Sequence, residues 1–161
     1  MSRLFLTYMF SLTIFFAQLI GADIDNDLVD DKIDKCLNTP DGVCVNASGC
    51  TQAIKKTIYF NQGSYKLTNE AINKIREISE LSTECFGYKI YLEGHTDSIW
   101  EAKSNLLLSK NRVITIKKLL NLYNIDNKKL NISWYGETKP IASNITKEGR
   151  AKNRRVLITL K

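Results

Sequence analysis

The chain has 161 residues, 43% of them apolar and 25% charged, with two prolines and a formal charge of +6. That length fits one domain with a short appendage and can bury a real core, and neither a fixed-period repeat nor a low-complexity tract is present. The charge is uneven: residues 23 to 36 hold six aspartates against two lysines, and residues 37 to 161 hold 20 bases against 11 acids.

Taken in chain order, the first element is a charge-free apolar run from Leu4 to Ile20 behind Arg3, closed by Gly21 and Ala22. This is the build of a secretory signal peptide over residues 1–22, with an uncleaved anchor as the rival. At 1.5 Å per residue the run spans about 25 Å, short of a hydrocarbon core of about 30 Å. An acidic, cysteine-rich linker follows over 23–53. Export would place Cys36, Cys44, Cys50 and Cys85 in an oxidising space, where four cysteines allow three pairings. Their spacings lack the two-residue gap of a zinc knuckle, so disulfides are expected rather than zinc.

Residues 54–161 alternate strand and helix signals. Residues 57–60, "TIYF", read as a strand. Thr68 can cap a helix in which Ile72, Ile75, Ile78 and Leu81 recur on one face. Tyr88, Ile90 and Leu92 alternate as in a half-buried strand, and residues 95–102 read as a loop. Leu106, Val113, Ile116, Leu119, Leu120 and Tyr123 form a helical stripe from about 105 to 123. A third strand is expected at 130–136. A long polar connection with a short helical turn near Lys147 leads to a last strand over 154–160. The expected fold is α/β (α+β), a two-layer sandwich of a mixed four-stranded sheet and helices in βαβαββ-like order.

The stretch from Gly94 to Arg112, "GHTDSIWEAKSNLLLSKNR", carries the chemistry. His95 is the only histidine. Neighbours at a strand end point in different directions, so His95, Thr96 and Asp97 do not make a catalytic triad by adjacency. No nucleophile elbow, zinc-protease helix or phosphate loop accompanies them, and no catalytic residue is assigned. A strand–loop–helix unit folding back on itself would set Asp97 against the helix that carries Asn105, Ser109 and Arg112 near one face. One acid, one arginine and two neutral polar groups suit a zwitterion: the arginine grips a carboxylate through two parallel hydrogen bonds and the acid takes an ammonium. On spacing alone, Asp97 paired with Arg112, or Arg112 facing water, remains the plainer alternative.

The blocks "EGHTDS", "NLLLSKNRV", "YGETKPIASN" and "GRAKNRRV", in that order, resemble the C-terminal domain of the outer membrane protein A family. The resemblance runs from about Ile58 to Leu160. It implies non-covalent, non-catalytic binding of peptidoglycan. Asp97 and Arg112 would hold the diaminopimelate of the stem peptide, helped by Asn105, Leu108, Ser109 and Arg154. His95, Thr96, Arg150 and Asn153 would support the site. Val113 stands where the family carries a small residue, and Ile99 and Trp100 where its loop is small and polar; both departures would narrow the mouth. The implied setting is the periplasm of a Gram-negative-type bacterium, at the wall, with the outer membrane as one site of attachment, an envelope protein complex as a further partner and no nucleic acid. A membrane-anchored component of an envelope or motor-type complex, using the same domain to hold the wall, is the alternative.

The leader resembles a thrombospondin type 3-like repeat. Asp23, Asp25, Asp27, Asp30 and Asp34 would suit calcium, although no cofactor is required. Leu28 replaces the glycine usual after the third aspartate, and a solvated acidic linker is the equal alternative. That resemblance implies a Cys36–Cys50 disulfide and leaves Cys44 for Cys85.

Overall fold

The computed structural model describes residues 22–24, 26, 28–39, 45, 49, 51, 53–84 and 88–161, with the backbone alone for 83 and 84. The chain divides after Gln52 into two units. The signal-peptide expectation for residues 1–22 lies, except for Ala22, outside the described residues. Among the described residues no helix is long and apolar enough to cross a membrane.

In the first unit the aspartates hold turns. Asp23, Asp31, Asp30 and Asp34 accept from the backbone N–H groups of Leu28, Ile24, Lys32 and Cys36. Among the described residues no three His, Cys, Asp or Glu side chains converge as a metal set would. Asp25 and Asp27 lie outside them, so the structure offers the calcium ligand set no support. Cys36 is disulfide-bonded; Cys44, Cys50 and Cys85, on which the expected pairings depend, lie outside the described residues.

The second unit is built on a four-stranded mixed sheet. Strands β1 (Ile54–Tyr59), β2 (Ile90–Gly94), β3 (Leu130–Trp134) and β4 (Arg155–Leu160) lie in the order β1-β4-β2-β3. β4 runs antiparallel to both β1 and β2, while β2 and β3 are parallel. Helices α1 (Asn69–Glu84) and α2 (Ala102–Leu122) pack on the sheet and on each other. The short helix α3 (Lys147–Asn153) precedes β4. This is the mixed four-stranded sheet with a helical layer expected from the alternating signals.

The strands read by alternation lie where period two puts them: Ile90 and Leu92, and Val156, Ile158 and Leu160, are all buried. Helix α1 starts at a cap made by the Thr68 hydroxyl, which accepts from the Ala71 N–H at 3.2 Å. Its inward face is Ala71, Ile75 and Ile78. Strand β1 begins three residues earlier than its apolar signal, because Lys55 and Lys56 occupy its first half on a sheet edge, where lysines are tolerated. Helix α2 also begins earlier than its apolar stripe suggests. Leu106 is 45% exposed and not part of the core, because the inward face of α2 runs through Asn105, Ser109, Arg112, Val113, Ile116 and Leu120. The first half of that face is polar, and it leads to the site.

Candidate functional site

The site lies where the C-terminal end of β2 passes into the 95–101 loop and meets α2. Contact here is close because Gly94 has no side chain. A Cβ on it would sit 2.5 Å from the Ser109 carbonyl oxygen and 2.7 Å from Val113 Cγ2. The glycine therefore lets α2 approach β2 and brings the helix's polar face under the loop.

Arg112 is fully buried. Its Nε donates to the Ser64 carbonyl at 2.9 Å, its Nη1 to the His95 carbonyl at 2.8 Å and its Nη2 to the Asn61 carbonyl at 3.2 Å. The guanidinium carbon lies 5.1 Å from the centre of the Phe60 ring. Burial pulls its pKa down from the ordinary guanidinium range to about 10, against the opposing field of Asp97, so it remains charged at neutral pH. Three of its five N–H groups thus tie the β1–α1 loop to the β2–α2 loop.

Asp97, 2% exposed, does not pair with Arg112 by direct hydrogen bond. Its Oδ2 accepts from Arg154 Nη1 at 3.0 Å, while Arg154 Nε donates to the Phe60 carbonyl at 3.1 Å. Neither plain alternative from spacing holds: Arg112 faces loop carbonyls rather than water, and the acid's direct partner comes from 57 residues away. The result is one buried carboxylate influenced by two guanidinium groups.

Asn105 and Ser109 do not flank an open pocket with this pair, which corrects the reading from helical spacing. The same spacing aims them at the turn after β3. Ser109 Oγ accepts from the Gly136 N–H at 3.0 Å and donates to the Leu106 carbonyl. Asn105 Nδ2 donates to Glu137 Oε2 and to the Trp100 carbonyl. Gly136 adopts φ +54°, in the left-handed region that favours glycine, and a Cβ there would press on the backbone of Asn105 and Leu106. Leu108 is half-buried. Asn153 is fully buried and staples the 141–144 segment: its Oδ1 accepts from Ile141 and Ala142 N–H, and its Nδ2 donates to Ala142 O and Asn144 Oδ1. Arg150 caps the same segment through the carbonyls of Asn144 and Ile145.

His95 is a scaffold residue. Its ring stacks on Tyr135 with centroids 5.4 Å apart, its N–H donates to the Arg155 carbonyl, and its own carbonyl receives Arg112. Burial, with the nearby charges of Arg155 and Lys139, lowers its pKa to about 4, so it is neutral at pH 7. The Thr96 hydroxyl is buried beside Asp97 and has no hydrogen-bond partner. Several contributors left no trace in the residue pattern. Asn61 and Ser64 act through backbone carbonyls, and Glu137 lies 32 residues from the asparagine it meets.

A family model described as the OmpA family matches residues 59–154. Among curated relatives, outer membrane porin F of Pseudomonas aeruginosa is 34% identical over 143 residues, covering 85% of this chain and 41% of that protein. A peptidoglycan-associated lipoprotein of Buchnera aphidicola is 28% identical over 102 residues, covering 63% of this chain and 59% of that one. The chain thus spans about half the length of these relatives. The solved C-terminal domain of Helicobacter pylori MotB superposes with a TM-score of 0.61 at 30% identity, covering 66% of this chain and 84% of that one. The match runs from the last residue of β1 to the residue before β4, so it takes in β2, β3, the three helices and the residues around Asp97 and Arg112, and it begins beyond the acidic leader, which gains no support from it.

Proposed function

Because the chain belongs to the OmpA family, we propose that residues 53–161 bind peptidoglycan non-covalently and do not cleave it. One relative carries association with peptidoglycan in its name, and another is an outer-membrane porin. The protein on this reading is a wall-binding component of the cell envelope, working in the periplasm.

The diaminopimelate of the stem peptide is the ligand that fits best. Its free end carries an ammonium and a carboxylate. Asp97 takes the ammonium, and the two Arg112 N–H groups not donated to loop carbonyls take the carboxylate. Arg154 holds Asp97 in place beforehand. The observation that carries this reading is the buried cluster itself: a carboxylate and two guanidinium groups withdrawn from water at the end of a strand. Such burial is costly for stability, and sites that recognise charge are where it is found. Since Arg112 is fully covered, the loops at 61–64 and 95–100 part to admit the ligand. Hydrolysis is not part of the proposal, because Asp97 is engaged with Arg154 rather than oriented on His95.

The test is cosedimentation of the protein with purified diaminopimelate-type peptidoglycan, followed by chromatography of the supernatant. Protein in the pellet with no released muropeptides is expected. Released muropeptides that vanish in His95→Ala would replace the binding reading with an enzymatic one.

A further inference from the structure

Trp100 stands apart from the rest of the site. It is 52% exposed, and its neighbour Ile99 is 45% exposed, although both belong to the loop that buries Asp97 and Thr96. Its backbone is nonetheless tied to helix α2. The Trp100 carbonyl receives Asn105 Nδ2 at 2.8 Å, and Asn105 is itself fully buried. The indole lies against Gly63, where a Cβ would meet Trp100 Cζ2 at 3.6 Å. Gly63 has φ +62° and lies between Asn61 and Ser64, the two residues whose carbonyls Arg112 holds. An indole therefore lies across the two loops that close over the charged cluster, with about half of the residue left to solvent.

We propose that Trp100 is a saccharide-facing subsite: its exposed face stacks on a pyranose ring of the glycan strand while the charged cluster holds the stem. This rests on the wall-binding reading above. The length of the ligand supports it. Trp100 lies three positions along the chain from Asp97, a reach of at most about 10 Å. In the wall polymer the diamino acid is the third residue of the stem, so two residues and a lactyl link separate it from its sugar, a span of the same order. The chemistry supports it as well. A pyranose ring presents a face of C–H groups to an aromatic surface and hydroxyls at its edge, and an indole offers an apolar body with a single N–H donor.

The chain has two tryptophans, so Trp134→Phe makes Trp100 the sole indole fluorophore. Trp134→Phe protein is titrated with two defined ligands, the free diaminopimelate-containing tripeptide and the same tripeptide on its disaccharide. The expected result is a Trp100 emission shift with the disaccharide ligand alone, and an affinity about 3- to 10-fold tighter for it, the range of an aromatic stacking contact. Adding Trp100→Ala should erase that preference, and Trp100→Phe should keep most of it. Equal affinities in the parent, or a preference that survives Trp100→Ala, overturns the subsite while leaving stem binding intact. If neither ligand binds, the wall-binding reading and the subsite fall together.

Discussion

Replacing Arg112 by leucine should lower the stability of the folded domain by about 1–6 kcal/mol. Three hydrogen bonds from the guanidinium are lost, to Ser64, His95 and Asn61 carbonyls at 2.9, 2.8 and 3.2 Å. Bonds from a charged donor contribute about 1.5–3 kcal/mol each, a gross loss of about 4–9. Against this, leucine relieves the burial of a cation whose pKa has been drawn to about 10, a gain of about 3 kcal/mol. The remainder, about 1–6 kcal/mol, corresponds to a Tm lowered by about 5–30 °C for a domain of this size. Thermal unfolding followed by circular dichroism measures it. Arg112→Lys should fall between the two, because one ammonium cannot serve three carbonyls on two loops. A leucine variant melting within about 3 °C of the parent would refute the idea that Arg112 ties these loops together.

The His95 imidazole is held at about pH 4 in the folded state against 6.5 when unfolded, so the unfolded chain takes up the proton first. Stability should be full above about pH 6.5 and decline as the pH falls toward 4, by about 1–3 kcal/mol after allowance for solvent screening; melts of the parent and His95→Gln across that window should diverge, and parallel curves would contradict it. Gly94→Ala places a Cβ 2.5 Å from a helix backbone oxygen, so urea unfolding should show a loss of about 2–3 kcal/mol or more. Asn153→Ala removes four hydrogen bonds from the 141–144 segment and should make that segment the first site of proteolytic cleavage; unchanged protease resistance would argue against the staple.

The apolar skeleton was legible in the residue pattern because burial there follows a simple period. Ile90 and Leu92, like Val156, Ile158 and Leu160, alternate and are buried, as the two faces of a strand require. Helix α2 was read less well. Its inward face opens with Asn105, Ser109 and Arg112, so an apolar stripe cannot mark it, and Leu106, which joins the stripe by spacing, lies one position off that face and is exposed. Asp97 and Arg112 could be singled out as a pair of opposite charges. That they share one buried cluster, yet are joined by direct hydrogen bonds to Arg154 and to loop carbonyls respectively, could not be. Backbone acceptors carry no residue signature, and nothing local marks a partner 57 positions away. Spacing sets Asn105 and Ser109 on the helical face that they occupy but does not say what lies opposite it, which is the turn after β3.

The central claim is that Asp97 and Arg112 read a diamino acid by its two charges, and isothermal titration of the parent and Asp97→Asn with matched stem peptides tests it most directly. The peptides differ only in carrying diaminopimelate or lysine at the third position. Asparagine keeps the shape of the acid and removes its charge, and loss of one partner of a buried charged hydrogen bond costs about 2–5 kcal/mol. The parent should bind the diaminopimelate peptide and bind the lysine peptide weakly, since lysine lacks the second carboxylate. Folded Asp97→Asn should lose about 30-fold or more in affinity for the first. Equal binding of the two peptides by the parent, or undiminished binding by folded Asp97→Asn, would contradict the claim.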